Sequence, residues 1–219
     1  MEWRRIALLI VLGLTVVALE LLYLKELRRS NNLKLLAQKM GWRFYSQNKA
    51  KILPNINQFQ LLARQVYPKI RNIIYGNLED VRFYIFDYSF YCNKTTINQT
   101  IICFDFVTLN LPNFTLQPDS KVFRLLMDKF RSKSVEISGD RNFVESYRLT
   151  GEDAENICCL FSTEVQALYS NQSSTQNICS EVKDNYFLYY HQERRFEAEE
   201  ILLFLQEAKQ AWQLLIANG

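Results

Sequence analysis

The chain has 219 residues, of which 48% are hydrophobic and 22% charged, with a formal net charge of +3. This is ordinary globular material, with enough apolar surface for a sizeable core, and it excludes a disordered chain. The basic residues are too few and too scattered for a nucleic-acid partner, and six glycines and four prolines leave no long flexible linker.

The first thirty residues read as a membrane anchor. Arg4 and Arg5 precede the apolar run of residues 6–19 (IALLIVLGLTVVAL), Glu20 interrupts it, and LLYL leads to the basic flank Lys25, Arg28 and Arg29. Trp3 and Tyr23 are about twenty residues apart, about 30 Å on a helix, and amphipathic aromatics suit the two headgroup levels. A cleaved signal would need small residues at a cleavage site, and the run ends instead in ALELLY. Glu20 lies near the end of the span, where it reaches toward headgroups. The carboxyl side carries Lys25, Arg28, Arg29, Lys34, Lys39 and Arg43 against Arg4 and Arg5 on the amino side, so the positive-inside rule puts the soluble domain in the cytoplasm. The basic flank reads as an attraction to anionic headgroups.

The anchor helix is predicted to run to about Met40, ended by Gly41, with Asn31-Asn32 as a point where it can kink. A short strand at 42–45 and a helical piece at 58–65, with Phe59, Leu62 and Ala63 on one face, follow. Residues 70–79, 81–92 and 100–109 are rich in β-branched and aromatic residues. They predict an antiparallel meander with a polar loop at 93–99. Its strands are apolar on both sides, so both faces should be covered. An amphipathic helix is expected at 121–130, then a hairpin pairing 135–138 with 143–149 through Gly139-Asp140. Thr150 reads as the cap of one helix over 152–169. A hairpin of 178–182 with 186–190 and a helix over 195–216 complete the chain. That last helix should bury Ile201, Phe204, Leu205, Ala208, Trp212 and Leu215.

The segments LAQKMGWRFYSQ (36–47), IRNIIYGNLEDVRFYIFDYSF (70–90) and NFVESYRLTGED (142–153), behind a short N-terminal span, carry a resemblance. The chain resembles a family of bacterial membrane-anchored domain proteins without an assigned activity, similar over most of its length. The resemblance implies a bacterial origin and a membrane anchor, and it brings no functional residues.

Chemistry-bearing residues are sparse. The single histidine, His191, rules out a multi-histidine metal site and reads as a surface turn residue. Five cysteines, Cys92, Cys103, Cys158, Cys159 and Cys179, form no C-x-x-C pair and read as buried thiols in a reducing compartment. Sequons at Asn93, Asn98, Asn113 and Asn171 are chance matches in polar turns. Asp87 and Asp105 interrupt two neighbouring apolar strands and would lie close across the ladder. There they are candidates for acid/base work or, more simply, acids satisfied by nearby partners. No nucleotide, metalloprotease or hydrolase motif occurs, and no cofactor or metal is called for.

The expected fold is α+β, an N-terminal transmembrane helix followed by antiparallel β-hairpins packed with amphipathic helices. Residues 1–30 are the anchor and its basic flank. Residues 31–219 are the soluble domain, whose pattern allows subdomains at about 42–115 and 116–219. The expected role is a non-enzymatic interaction or scaffolding module at the cell membrane, in contact with membrane lipid and an unidentified protein partner. The alternative is a membrane-tethered enzyme or lipid- or small-ligand-binding domain with a pocket at the sheet.

Overall fold

The computed structural model describes residues 2–47, 53, 58–63, 66–92, 94–119, 133–170 and 177–219. The helix expected at 121–130 and the sequons at Asn93 and Asn171 lie outside the described residues. The fold is α+β. Helix α1 (Glu2–Lys39) is continuous through Asn31-Asn32. At its end the Trp42 N–H donates to the Ala37 carbonyl at 2.8 Å and the Gly41 N–H to that of Gln38 at 3.2 Å, with Gly41 at φ +71°. This is a Schellman turn, and the sharp reversal it needs is why Gly stands there.

Strands β1 (Arg43–Gln47), β2 (Val66–Leu78), β3 (Val81–Cys92), β4 (Thr95–Asp105), β5 (Phe114–Pro118), β6 (Ser134–Val135), β7 (Tyr147–Gly151), β8 (Ile178–Lys183) and β9 (Tyr186–His191) form one antiparallel sheet. Its order is β1-β2-β3-β4-β9-β8-β5-β7-β6. Because β4 pairs with β9, the sheet runs unbroken through both the 42–115 and the 116–219 stretches. Both faces of β2–β4 are covered, as their two-sided apolar pattern requires. On one face Leu33 and Ala37 of α1 join Ile74, Phe83, Ile85 and Phe104, together with the stripe of the C-terminal helix α6 (Ile201–Asn218). All six residues predicted for that stripe are buried. On the other face the short helix α2 (Gln60–Ala63) and Phe59 cap Tyr84, Phe86, Tyr88 and Tyr190.

Several expectations are corrected. The polar loop at 93–99 shrinks to a tight turn, because Cys92 pairs directly with Thr95 and the β-branched Thr95, Thr96 and Ile97 extend β4. Residues 141–146 form helix α3 (Arg141–Ser146) instead of a strand, since the Asp140 carboxylate accepts from the Phe143 N–H at 2.8 Å and caps it. Thr150 lies in β7, and the helix expected after it is two short ones, α4 (Ala154–Leu160) and α5 (Thr163–Ser170), with Asp153 capping the first. Residues 192–200 stay out of α6 because their backbone is held by β4. The Thr100 N–H donates to the Arg194 carbonyl at 2.9 Å, and the Phe196 N–H to Thr100 Oγ1 at 3.1 Å.

Candidate functional site

Helix α1 has two parts of opposite character. Its amino-terminal part is long and apolar enough to cross a membrane and packs against nothing, with Leu8, Leu14 and Leu19 65–68% exposed. From Glu26 onward one stripe turns inward at helical spacing: Glu26, Arg29, Leu33, Leu36 and Ala37. The two parts meet at Arg29, which is only 5% exposed. Sequence reasoning placed Arg29 among the headgroup-facing cations. The structure turns it into the protein, while Lys25 and Arg28 remain exposed.

Arg29 forms a two-pronged ion pair with Asp87 on β3. Nε donates to Oδ2 at 2.9 Å and Nη2 to Oδ1 at 2.7 Å. Planar guanidinium and carboxylate match in this geometry, which makes it among the strongest charge-assisted contacts available. Three further elements converge on the same carboxylate. Asn72 Nδ2 donates at 2.9 Å from a bulge in β2 where Asn72 sits at φ 51°. Thr100 Oγ1 on β4 donates at 3.1 Å. Arg195 Nη2, from the turn before α6, donates at 3.2 Å and also pairs in two-pronged fashion with Glu26 of α1 at 2.7 and 3.0 Å. Glu197 closes the cluster against Arg29 Nη1 at 3.3 Å. Burial works to raise the Asp87 carboxyl, but the hydrogen bonds and charge of Arg29, then Arg195 and Asn72, reverse it and hold the group below its usual range. Asp87 is therefore held as an anion with both oxygens engaged. It is a structural clamp and is unsuited to proton transfer.

Asp105 does not join it. The β3–β4 register sets Asp87 opposite Thr100 and Asp105 opposite Arg82. The two acids are thus five residues apart along the ladder, about 17 Å, and on opposite faces. Asp105 pairs with Arg82 at 3.3 Å at the sheet's rim. The expected proximity assumed a seven-residue loop, and the tight turn removes it. His191 is also not a surface residue. It is buried against Phe196 and Phe204, and its Nε2 lies 2.8 Å from Glu207 Oε1, which also accepts from the Tyr189 hydroxyl at 2.6 Å. Cys92, Cys103 and Cys179 are buried as expected, whereas Cys158 and Cys159 are exposed on α4. All five are free thiols. Among the described residues no group of three His, Cys, Asp or Glu side chains is placed to hold a metal ion.

A second feature lies on the far half of the sheet. Thr150, Thr115 and Glu181 sit opposite one another across β7, β5 and β8, so they form one row on one face. All three are buried, and they line a cavity of about 570 Å³. Glu181 Oε1 accepts from the backbone N–H groups of Gln60 and Leu61, but its Oε2, Thr150 Oγ1 and Gln58 Nε2 have no partner among the described residues. Burial pushes the Glu181 carboxyl up to about 8, against the lowering effect of those N–H groups. The alternation in FTLQP, YRLTG and ICSEVK marks this polar face, but nothing in the sequence says that it is enclosed.

Two expectations follow from these opposite environments. Asp87→Asn leaves two arginines facing a neutral group and should cost about 3–5 kcal/mol in detergent-solubilised unfolding, whereas Asp105→Asn should cost about 1 kcal/mol or less. Because the Asp87 value is depressed, its stabilisation is complete above the ordinary Asp value of 3.8 and is lost as pH falls below it. Glu181 has the opposite sign. Between 4.5 and about 8 the folded chain keeps a proton that the unfolded chain has lost, so stability should fall as pH rises across that window. Glu181→Gln should flatten this slope in pH-dependent melting curves, and an unchanged slope would count against the raised value.

No family model matches the chain, and no curated protein matches it, in keeping with the resemblance to a family without an assigned activity. Among solved structures it is similar to the crystal structure of the mycobacterial trehalose monomycolate transport factor A, TtfA. The TM-score is 0.56 at 8% sequence identity, over 85% of this chain and 94% of that one. At this identity the likeness is one of fold.

Proposed function

We propose that the chain is a single-pass membrane-anchored interaction module of a bacterial cell, with no reaction of its own and with its domain on the cytoplasmic side. The observation that carries this reading is the clamp. An apolar helix with nothing packed on it among the described residues is fixed to a folded domain by four buried or half-buried charged groups, with no flexible segment between. Such a joint holds a binding surface at a set height and orientation above a bilayer. Asp87, the leading candidate for acid/base work, is occupied by two arginines, which supports a role without catalysis. The solved neighbour is named as a transport factor, and an interaction module is compatible with that kind of role. The cytoplasmic side rests on Lys25, Arg28, Lys34, Lys39 and Arg43 outweighing Arg4 and Arg5, even with Arg29 turned inward.

The exposed pair Cys158-Cys159 is a built-in reporter of sidedness. A membrane-impermeant maleimide should label the chain only after cells are permeabilised, and the Cys158→Ser/Cys159→Ser variant should lose that signal. Labelling in intact cells would place the domain outside and direct the partner search there.

A second reading, a small-ligand-binding domain, is favoured by the cavity beside Glu181. Native mass spectrometry of the full chain released from detergent separates the two readings. The interaction module predicts the bare chain or a stoichiometric protein complex. The ligand reading predicts a small retained mass that Glu181→Gln weakens.

A further inference from the structure

We infer that the chain touches the membrane a second time, through the end of the sheet that carries Val66, Tyr67 and Tyr91, lying in a layer of anionic phospholipid headgroups beside α1. This rests on α1 crossing the bilayer, as proposed above.

The clamp fixes the height of the sheet. At one end of the α1–sheet contact the Trp42 ring packs on Phe83, with ring centroids 4.9 Å apart, and at the other Arg29 grips Asp87. Strand β3 therefore heads toward the membrane as α1 is followed back to its amino end. From Lys39 back to Arg29 the helix advances about 15 Å and from Phe83 to Asp87 the strand about 14 Å, so the two run side by side over this stretch. Beyond Asp87, β3 continues five residues to Cys92, about 17 Å of strand. From Arg29 the helix needs only about 8 Å to reach Leu24, where the apolar run ends. The tip of β3 and the start of β4 thus reach at least to the level of the last turn of the span, where the headgroup layer lies.

The side chains at that end fit this position. Val66 pairs with Tyr91, so the two are adjacent, and Val66, Tyr67 and Tyr91 are 51%, 78% and 45% exposed. Tyr67 sits at φ 52° inside the register break between Val66 and Lys69. That backbone is unfavourable for a bulky residue, and strain of this kind gathers where a side chain has a task. Tyrosine rings with a polar tip prefer the water–lipid boundary. Lys69 and Lys94 are exposed at the same end, and Lys25 and Arg28 are exposed on the adjoining helix. The acids at this level are Glu20 and Glu26 on α1 and Glu193 and Glu197 beside it, of which Glu26 is bonded to Arg195 and Glu197 to Arg29, leaving two acids against four cations. The balance is basic, which attracts anionic headgroups.

The test uses the full chain, with Cys158 and Cys159 replaced by Ser, reconstituted in vesicles of phosphatidylcholine and phosphatidylglycerol. An environment-sensitive fluorophore is attached at single added cysteines: Leu12→Cys in the span, Tyr67→Cys and Tyr91→Cys at the tip, and Val107→Cys beyond the opposite end of β4. Lys94→Cys, which removes no ring, reads the same level as the tip variants. The expected result is blue-shifted emission, quenched by a lipid-borne quencher, at Leu12, Tyr67, Tyr91 and Lys94, with water-like emission at Val107. Water-like emission at the tip positions with an apolar signal at Leu12 overturns this inference alone, and leaves the patch to a protein partner. Water-like emission at Leu12 overturns the anchor, and this inference falls with it.

Discussion

Everything about the placement of this domain depends on one buried carboxylate. Asp87 sits in a strand whose neighbours are Phe86 and Tyr88, in a position where an unpaired charge would be prohibitive. It is tolerated because five donor groups from four separate elements converge on it. Much of the irregularity around it serves that convergence. The β2 bulge exists where Asn72 must turn toward Asp87, and the register of β3 on β4 brings Thr100 opposite. The turn at 192–200, held to β4 through Thr100, brings in Arg195. Displacing any one of these elements would leave a donor or the acceptor unmatched.

A buried ion pair is a poor source of stability but a good source of specificity. Desolvating two charges consumes most of their mutual attraction, and a well-packed apolar pair would hold α1 to the sheet at least as firmly. What apolar contacts such as Leu33 and Ala37 do not provide is a unique register, since a helix can slide or roll on a greasy surface with little penalty. Two-pronged pairing of Arg29 with Asp87 and of Arg195 with Glu26 permits one rotation and one height. For a helix whose other half is unburied, that is the property that matters. It carries the direction of the apolar half into the domain without a hinge.

Local patterns were readable in the sequence, and contacts between distant segments were not. The apolar run, its aromatic and basic flanks, the stop at Gly41, β3 to the residue and the buried stripe of α6 all follow from composition and periodicity within a few turns of chain. The errors share a cause. Thr95–Thr96–Ile97 read as a polar loop because Asn93 and Asn98 frame it, yet β-branched residues beside a paired strand simply extend the ladder. Arg29 looked like one of several flank cations. It is distinguished from Arg28 only by the helix face it occupies relative to a strand fifty-eight residues away. His191 and Glu207, sixteen residues apart, likewise meet only because α6 folds back over β9.

The sheet's second face divides into two halves with different chemistry. Over β2, β3, β4 and β9 it is aromatic and sealed. Over β8, β5 and β7 it carries Glu181, Thr115, Gln117 and Thr150, all buried. The two buried acids of the sheet lie on opposite faces, Asp87 beneath α1 and Glu181 on the second face. Burial works against the charge of both acids, but Asp87 is surrounded by fixed cations and stays ionised, whereas for Glu181 burial outweighs the two backbone N–H groups and the Lys183 charge and pushes it toward neutrality. A fully satisfied acid locks a structure, and one whose second oxygen has no partner among the described residues retains capacity to bond something else. The Asp87 carboxylate, with both oxygens engaged, therefore has no acceptor to offer a ligand. The acid oxygen with no partner among the described residues lies instead beside the cavity of β5, β7 and β8, away from the joint with α1.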